Sequence, residues 1–573
     1  MAEYLSPGIF VEEFDSGAVP MSSVSTSTAG FIGVTEKGPQ EGAPVLITSF
    51  SDYYRTFGGY LSESEFGEYR YLPYTVNQFF TNGGSRCFIK RVTPSDATFA
   101  HFGQKEDSLL IYAKNPGSWG NKISLTMIPT SKSKTQILEE ISQDLKIKYR
   151  VKNANGFTQG DIILFESPEK KQYNRIVEID GTLLTFELPF EDNVIDTGIL
   201  PKKIISTCEI DLEIHYDTIT EKYEGCSTNP NSINFINTRI TNSDLILLKA
   251  IPSNQIESPL LQLIGEESSE FILSLSGGTN GTKEALSCTD FIGENKGPGA
   301  RTGIQAFIDN SEVSLMAIPG ITDPQVELML IAHCENLGSR FAILDIPKEK
   351  KTVQDVLEFR NMFDSEYAAI YHPWVRVINP LTKNTMDIPP SGSIAGIYAR
   401  TDNNRGVHKA PANEIVSGCS GLSCNYTAGE QDILNPKGVN LIRSFSGQGI
   451  RVWGARTISS NALWRYVNVR RLFIYIEESI KASTNWIVFE PNNELLWLRT
   501  RRTIEIFLAD VWRSGALAGA TEADAFFVKI GPETMTQGDI DAGRLICVIG
   551  IAPVKPAEFV IFRITQKTAD AQA

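Results

Sequence analysis

The stretch GGTNGTK at residues 277–283 has the residue types of a phosphate-binding loop, with glycines that free backbone N–H groups to ring an anion and a lysine to reach over it. The spacing does not suit that chemistry. Gly278 and Gly281 stand too close together, a threonine precedes Lys283, and Glu284 follows it. A turn joining two domains fits better. SGQGIRVWGAR at 446–456 likewise misses dinucleotide-binding spacing, because its glycines fall at 447, 449 and 454 with no βα unit before them.

Hydrolysis would need a nucleophile beside a base. The five histidines are His101, His215, His333, His372 and His408, and neither a G-x-S-x-G elbow nor an H-E-x-x-H pattern occurs. His333, beside Cys334 on an expected helix, and His372, ahead of Pro373-Trp374, read as structural histidines. The eight cysteines (87, 208, 226, 288, 334, 419, 424, 547) are scattered, and the nearest pair, Cys419 and Cys424, has no second pair at zinc spacing. Buried free thiols are expected, with no metal and no cofactor.

Charge narrows the partners. A net charge of -15 argues against a general nucleic-acid binder, which needs a basic footprint. Between Lys437 and Arg513, however, twelve basic residues face six acidic ones. A solvated helix face would explain this, but Arg499, Arg501 and Arg502 crowd the start of an expected helix, where the dipole disfavours cations, so an acidic partner is a second explanation. No stretch approaches the roughly 18 apolar residues of a membrane span, and the amino terminus lacks a basic region followed by an apolar one. A protein made and kept in the cytoplasm is expected.

At 573 residues the chain should divide into two to four domains. Residues 1–28 read as an extended amino-terminal linker arm, strand-like at Ile9, Phe10 and Val11 and followed by the Ser/Thr-rich SSVSTSTAG. Residues 29–96 and 276–400 read as one α/β domain split in sequence. Its short apolar strands (31–34, 87–92, 313–320, 341–346, 368–377) alternate with helical stretches, which implies a mainly parallel, two-sided sheet. Residues 97–275 have the composition of a β-rich insertion, 401–550 of an inner α+β domain, and 551–573 of a carboxy-terminal strand arm carrying Phe559, Val560, Ile561 and Phe562.

In the inner domain, Val469, Leu472, Phe473, Ile476 and Ile480 share one helical face, as do Ile504, Phe507, Leu508 and Val511. Ser459 or Ser460 is the expected cap of the first helix, Asn492 or Asn493 of the second, and Gly515 the stop. The stretch PPSGSIAGIYARTDNNRGVHKAPAN, 389–413, is expected to turn the chain from one domain into the next. Its prolines and glycines would fix turns, with Arg400, Asp402, Arg405 and Lys409 making packing and charge contacts.

Several stretches together resemble the tail sheath proteins of contractile phages and related contractile injection systems. They are YLSPGIFVEEFDSG (4–17), STSTAGFIGVTEKGP (25–39), FFTNGGSRCFIKRV (79–92), NPGSWGN (115–121), LSGGTNG (275–281), YHPWVRV (371–377), the 389–413 stretch, and the end from WRYVNVRRLFIYIEESI through APVKPAEFVIFRI. They occur in the family's order and cover most of the chain outside the insertion. His408 departs from the bulky aromatic expected before the lysine.

The resemblance implies a structural part and no enzyme: a subunit stacked in hexameric rings, wound helically around an inner tube, with both arms lending strands to neighbouring subunits. It implies a subtilisin-like α/β domain without the protease triad, and Arg470, Arg471, Arg499, Arg501 and Arg502 as tube-facing cations. The implied partners are further copies of the chain, the inner tube protein, and baseplate and terminal cap proteins, with no direct nucleic-acid contact and no membrane insertion, in a phage tail or tail-like particle. A subtilisin-like hydrolase and a static shell or tube protein are the alternatives.

Overall fold

The structure, a computed structural model, describes residues 21, 23–103, 109–143, 146–166, 171–190, 203–250, 255–265 and 269–561. Ile9, Phe10, Val11 and Phe562 lie outside the described residues.

AGFIGV, and CFIKRV with its Lys90 and Arg91 included, are buried along their whole length, as strands covered on both faces must be. The strands are β1 (Ala29–Val34), β2 (Val45–Ile47), β3 (Cys87–Val92), β4 (Leu315–Ala317), β5 (Phe341–Asp345), β6 (Ala368–His372), β7 (Glu414–Ile415), β8 (Val439–Phe445) and β9 (Gly449–Val452). They form one nine-stranded sheet in the order β2-β3-β1-β4-β5-β6-β8-β9-β7. The inner run from β3 to β8 is parallel, and β2, β9 and β7 pair antiparallel at the edges. The mainly parallel, mixed α/β architecture expected from the strand pattern is present.

Helices cover both faces. Val76 and Phe79 of α1 (Leu72–Thr81) and Ile394, Ile397 and Tyr398 of α4 (Ser391–Arg405) share one core with Phe31 and Tyr371. Val326 and Leu330 of α2 (Pro324–Leu337) and Val356 and Phe359 of α3 (Val353–Arg360) share the other with Ile32 and Ile370. Each core belongs to alternate residues of the same strands, since successive side chains point to opposite faces.

Helix α4 corrects the expectation for 389–413. Residues 391–405 are helical, and the turns come only afterwards. Its glycines serve close approach rather than turning. A Cβ on Gly392 would stand 2.3 Å from the Thr75 carbonyl oxygen, and one on Gly396 2.4 Å from that of Phe79, so α4 and α1 cross backbone against backbone. Pro390 precedes the first turn, where a missing N–H costs nothing, and Gly406, at φ 93°, closes the last turn. The expected boundary at 400 therefore cuts a helix, and the sheet continues past it through β7, β8 and β9.

Between Ala97 and Leu275, three sheets build up: a closed barrel of six strands from Lys134 to Thr207, a four-stranded sheet and a three-stranded one. Where this region leaves and rejoins the rest, Thr98 bridges Thr279 and His101 bridges Ser276.

At the carboxy-terminal end, α5 (Val467–Ser483) and α6 (Glu494–Arg513) pack with a two-stranded sheet of β10 (Phe526–Ile530) and β11 (Cys547–Ile551) around Leu472, Ile476, Phe507 and Leu508. Asn493 caps α6, its side chain accepting the Leu496 N–H at 3.0 Å, and Gly515 follows its last turn at φ 83°. The expected serine cap of α5 is not used: the helix begins after Tyr466. Ahead of it the chain makes a short 3-10 turn at Ala462–Trp464 and is then drawn back, because 455–457 pair with 465–467 through Thr457 N–H to Arg465 O and Val467 N–H to Ala455 O.

Candidate functional site

The glycine-rich loop at 277–283 has its polar groups engaged within the protein. Asn121 accepts the Gly278 N–H and donates to the Gly278 carbonyl, both at 2.8 Å. Asp96 accepts the Thr282 N–H at 3.0 Å and its hydroxyl at 2.9 Å, bonds that hold the Asp96 carboxyl below its ordinary range. Asn280 accepts the Ser118 N–H at 2.9 Å. The loop closes the neck between the sheet domain and the region 97–275, as a joining turn should.

Ser391 stands at the start of a buried helix, where a hydrolase could place a nucleophile. Its hydroxyl donates to Asp345 at 2.7 Å and its N–H to the same carboxylate at 3.0 Å, with both residues buried. No histidine hydrogen-bonds a serine hydroxyl among the described residues. His372 meets the Tyr426 hydroxyl at 2.9 Å, and burial pushes it down to about 3. His333 meets Arg340 at 3.1 Å and is pushed down to about 4 by burial and by that guanidinium. Both rings stay neutral near pH 7. All eight cysteines are free, with Cys87, Cys226 and Cys334 buried.

Two side-chain networks hold the described chain close to its two ends. Ahead of β1, the Val24 N–H donates to Ser479 at 3.3 Å and the Thr26 hydroxyl to Asp402 at 2.6 Å. Arg471 donates to the Thr26 carbonyl at 2.9 Å and to both oxygens of Asp402. The Arg471 and Asp402 side chains are 3% and 4% exposed, and the guanidinium also lies over the Tyr398 ring. One buried ion pair thus joins the stretch before β1, α4 and α5.

Beyond β11, Val554 N–H bonds the Ala516 carbonyl and Asn468 donates to the Val554 carbonyl. Glu558 is the last residue with a side-chain hydrogen bond among the described residues. Arg456 grips its carboxylate at 2.8 and 2.5 Å, Asn435 donates at 2.7 Å and Tyr466 at 3.2 Å. Burial raises the Glu558 carboxyl, but these donors outweigh it and hold it below its ordinary value. Immediately beyond, Phe559, Val560 and Ile561 are 75%, 68% and 79% exposed and sit in no strand. The β10–β11 sheet has no further strand on either outer edge among the described residues, and Phe527 and Val548 are exposed.

The basic residues separate by burial. Arg470 and Arg471 are buried and committed internally: Arg470 pairs with Glu366 and Glu477 and lies over Tyr367 and Trp464. Neither can face a tube, which corrects that expectation. Arg499 lies over Trp486, Arg501 donates to the Ile530 carbonyl at 2.7 Å, and Arg502 is exposed. At the junction, Arg400 donates to the Ile415 carbonyl at 2.7 Å, Lys409 to those of Ala410 and Ala412, and Arg405 is exposed on the last turn of α4. Glu558, Arg456 and Thr26 escaped the sequence reading, since their partners are distant in the chain and no spacing relates them.

The chain matches the family model described as phage tail sheath protein central domain over residues 293–458, and that described as phage tail sheath C-terminal domain over 459–567. The border between them falls just after β9. A putative prophage major tail sheath protein of Pseudomonas aeruginosa (strain UCBPP-PA14) is 26% identical, covering 48% of this chain and 71% of that one. The tail sheath protein of Escherichia phage P2 is 25% identical, covering 57% and 85%. Among solved structures, the PVC sheath complex of an extracellular contractile injection system in the contracted state superposes with a TM-score of 0.52 at 23% identity, over 99% of both chains. The contracted helical sheath of the anti-feeding prophage gives 0.51 at 22%, over 98% of this chain and 99% of that one.

Proposed function

Because this chain belongs to the tail sheath family of contractile phage tails and injection systems, we propose that it builds the sheath by strand exchange, as stacked hexameric rings around an inner tube, and contracts to drive the tube through a target envelope. The observation that carries this is the carboxy-terminal end. Phe559 to Ile561 is an exposed apolar run just past the Glu558 clamp, and β10 and β11 form a two-stranded sheet whose outer edges carry no further strand among the described residues. An exposed apolar segment able to become a strand and an open sheet edge on one chain complement each other between copies. Each backbone bond made there contributes about 0.5–1.5 kcal/mol, so one joint is worth a few kcal/mol and a sheath sums many of them.

The amino-terminal arm is the second donor in this reading. Held at Thr26 and at Glu558, the two arms stay attached to their own subunit while subunits rotate and slide and the joints persist. The α/β domain serves as a subtilisin-like scaffold with no catalytic role, in keeping with the bond from Ser391 straight to Asp345. Tube, baseplate and cap proteins are the remaining partners, and the subunit is made in the bacterial cytoplasm before assembly.

Electron microscopy of particles from the native source, before and after mild denaturant, tests the reading. Two sheath states, long and narrow against short and wide, are expected. A single tubular state would move the protein to a static shell. Labelling of the purified chain by a serine-directed activity probe would overturn the non-enzymatic reading.

A further inference from the structure

The Glu558 carboxylate receives four hydrogen bonds from three side chains: two from Arg456, one from Asn435 and one from Tyr466. Such saturation of a partly buried carboxylate is the mark of a fixed anchor rather than a passing surface pair. The anchor is itself braced. Asn440, fully buried on β8, accepts the Arg456 N–H at 2.7 Å, donates to the Arg456 carbonyl at 2.7 Å, and donates to the Ile370 carbonyl of β6 at 3.1 Å. Tyr466 is the residue immediately before the first turn of α5. The last residue before the free apolar run is therefore wired into the middle of the sheet.

We infer that Glu558 is the positioning residue of the carboxy-terminal arm: it fixes the point and direction in which the exchanged strand leaves the subunit. The inference rests on the strand-exchange reading above and deepens it. Without the clamp, the last backbone bond from the tail to the body is that of Val554 to Ala516. The free tether then begins some four residues earlier and gains a reach of roughly 13 Å at about 3.3 Å per residue. A longer, undirected tether lowers the effective concentration of the strand at its receiving edge and raises the ordering cost of making the joint. Strand and edge keep their own chemistry; what changes is how often they meet in the right geometry.

The experiment compares the full-length protein with Glu558→Ala, Tyr466→Phe and a deletion of residues 559–573, each produced within the native particle and also purified as unassembled subunit. Three readouts are melting temperature, hydrogen exchange over residues 552–558, and the yield and regularity of extended sheaths by electron microscopy. Glu558→Ala is expected to melt like the parent, to exchange about 10- to 100-fold faster over 552–558 as charge-assisted bonds are lost, and to give several-fold fewer regular sheaths. Tyr466→Phe, which removes one of the four donors, should fall between. Normal sheaths from Glu558→Ala, with none from the deletion, would overturn the positioning role and leave strand exchange standing. Normal sheaths from the deletion would overturn both. A collapse of melting in Glu558→Ala would assign the residue to the fold and overturn the inference.

Discussion

Arg471 holds both carboxylate oxygens of Asp402, at 3.0 and 2.5 Å, inside a pocket that leaves the two side chains almost wholly buried. Removing one partner strands a charge without solvent. Asp402→Ala should therefore cost about 3–5 kcal/mol in urea unfolding, while the double change Asp402→Leu with Arg471→Met should recover much of it. A single variant as stable as the parent would show that the pair contributes nothing.

Gly396 faces the Phe79 carbonyl with no room for a methyl group. Gly396→Ala should cost about 1–3 kcal/mol through displacement of α4 from α1. Gly429, on the helix Ala428–Leu434, has nothing within 4 Å of the place a methyl group would take, so Gly429→Ala should be neutral or stabilising by up to about 1 kcal/mol. Thermal melts of the two variants give the contrast, and equal effects would refute the close-packing account.

Asp345 is fully buried, and burial pushes its carboxyl from 3.8 up to about 6 against the donors Ser391 and Gly320. Glu327, also buried, is raised well above 4.5 by burial and then by the charge of Asp345. The folded state thus holds protons that the unfolded chain has released. Stability should fall as pH rises from about 4 through 6, by on the order of 3 kcal/mol for Asp345 alone. Glu327→Gln, neutral at every pH, should flatten the profile and melt higher at pH 7.5. A parent whose stability climbed over that range would contradict the buried, raised acids.

Arg502 is exposed on α6. The tube-facing role proposed for it predicts that Arg502→Glu leaves melting unchanged while sheaths on tubes become fewer and more salt-sensitive. Unaltered assembly at low and high salt would remove it from that interface.

The sequence reveals what repeats and conceals what is brought together. Runs such as CFIKRV announce buried strands, and the faces built on Val469 and Ile504 announce α5 and α6, because each is a local pattern with a fixed period. Helix α4 escapes, since Ser391 through Ala399 are buried all round and small where they touch α1, which leaves no polar stripe to count. Arg470 and Arg471 look like surface charge for a related reason. Their carboxylates, Glu366 and Asp402, lie on other elements, and only folding puts them within reach. Glu558 and Arg456 are likewise joined by tertiary contact alone.

Thr98 and Thr279 share a hydrogen bond of 2.9 Å between hydroxyls where the region 97–275 departs and returns. A loop of chain whose two ends already touch is a cassette. It can be shortened, exchanged or lost, and the ends that remain need only a tight turn to rejoin, while β3 and β4 keep their places beside β1. The scaffold and its arms are thereby freed from the fate of the barrel, and grafting a foreign domain at Thr98 and Thr279 is a natural route to decorating an assembled sheath.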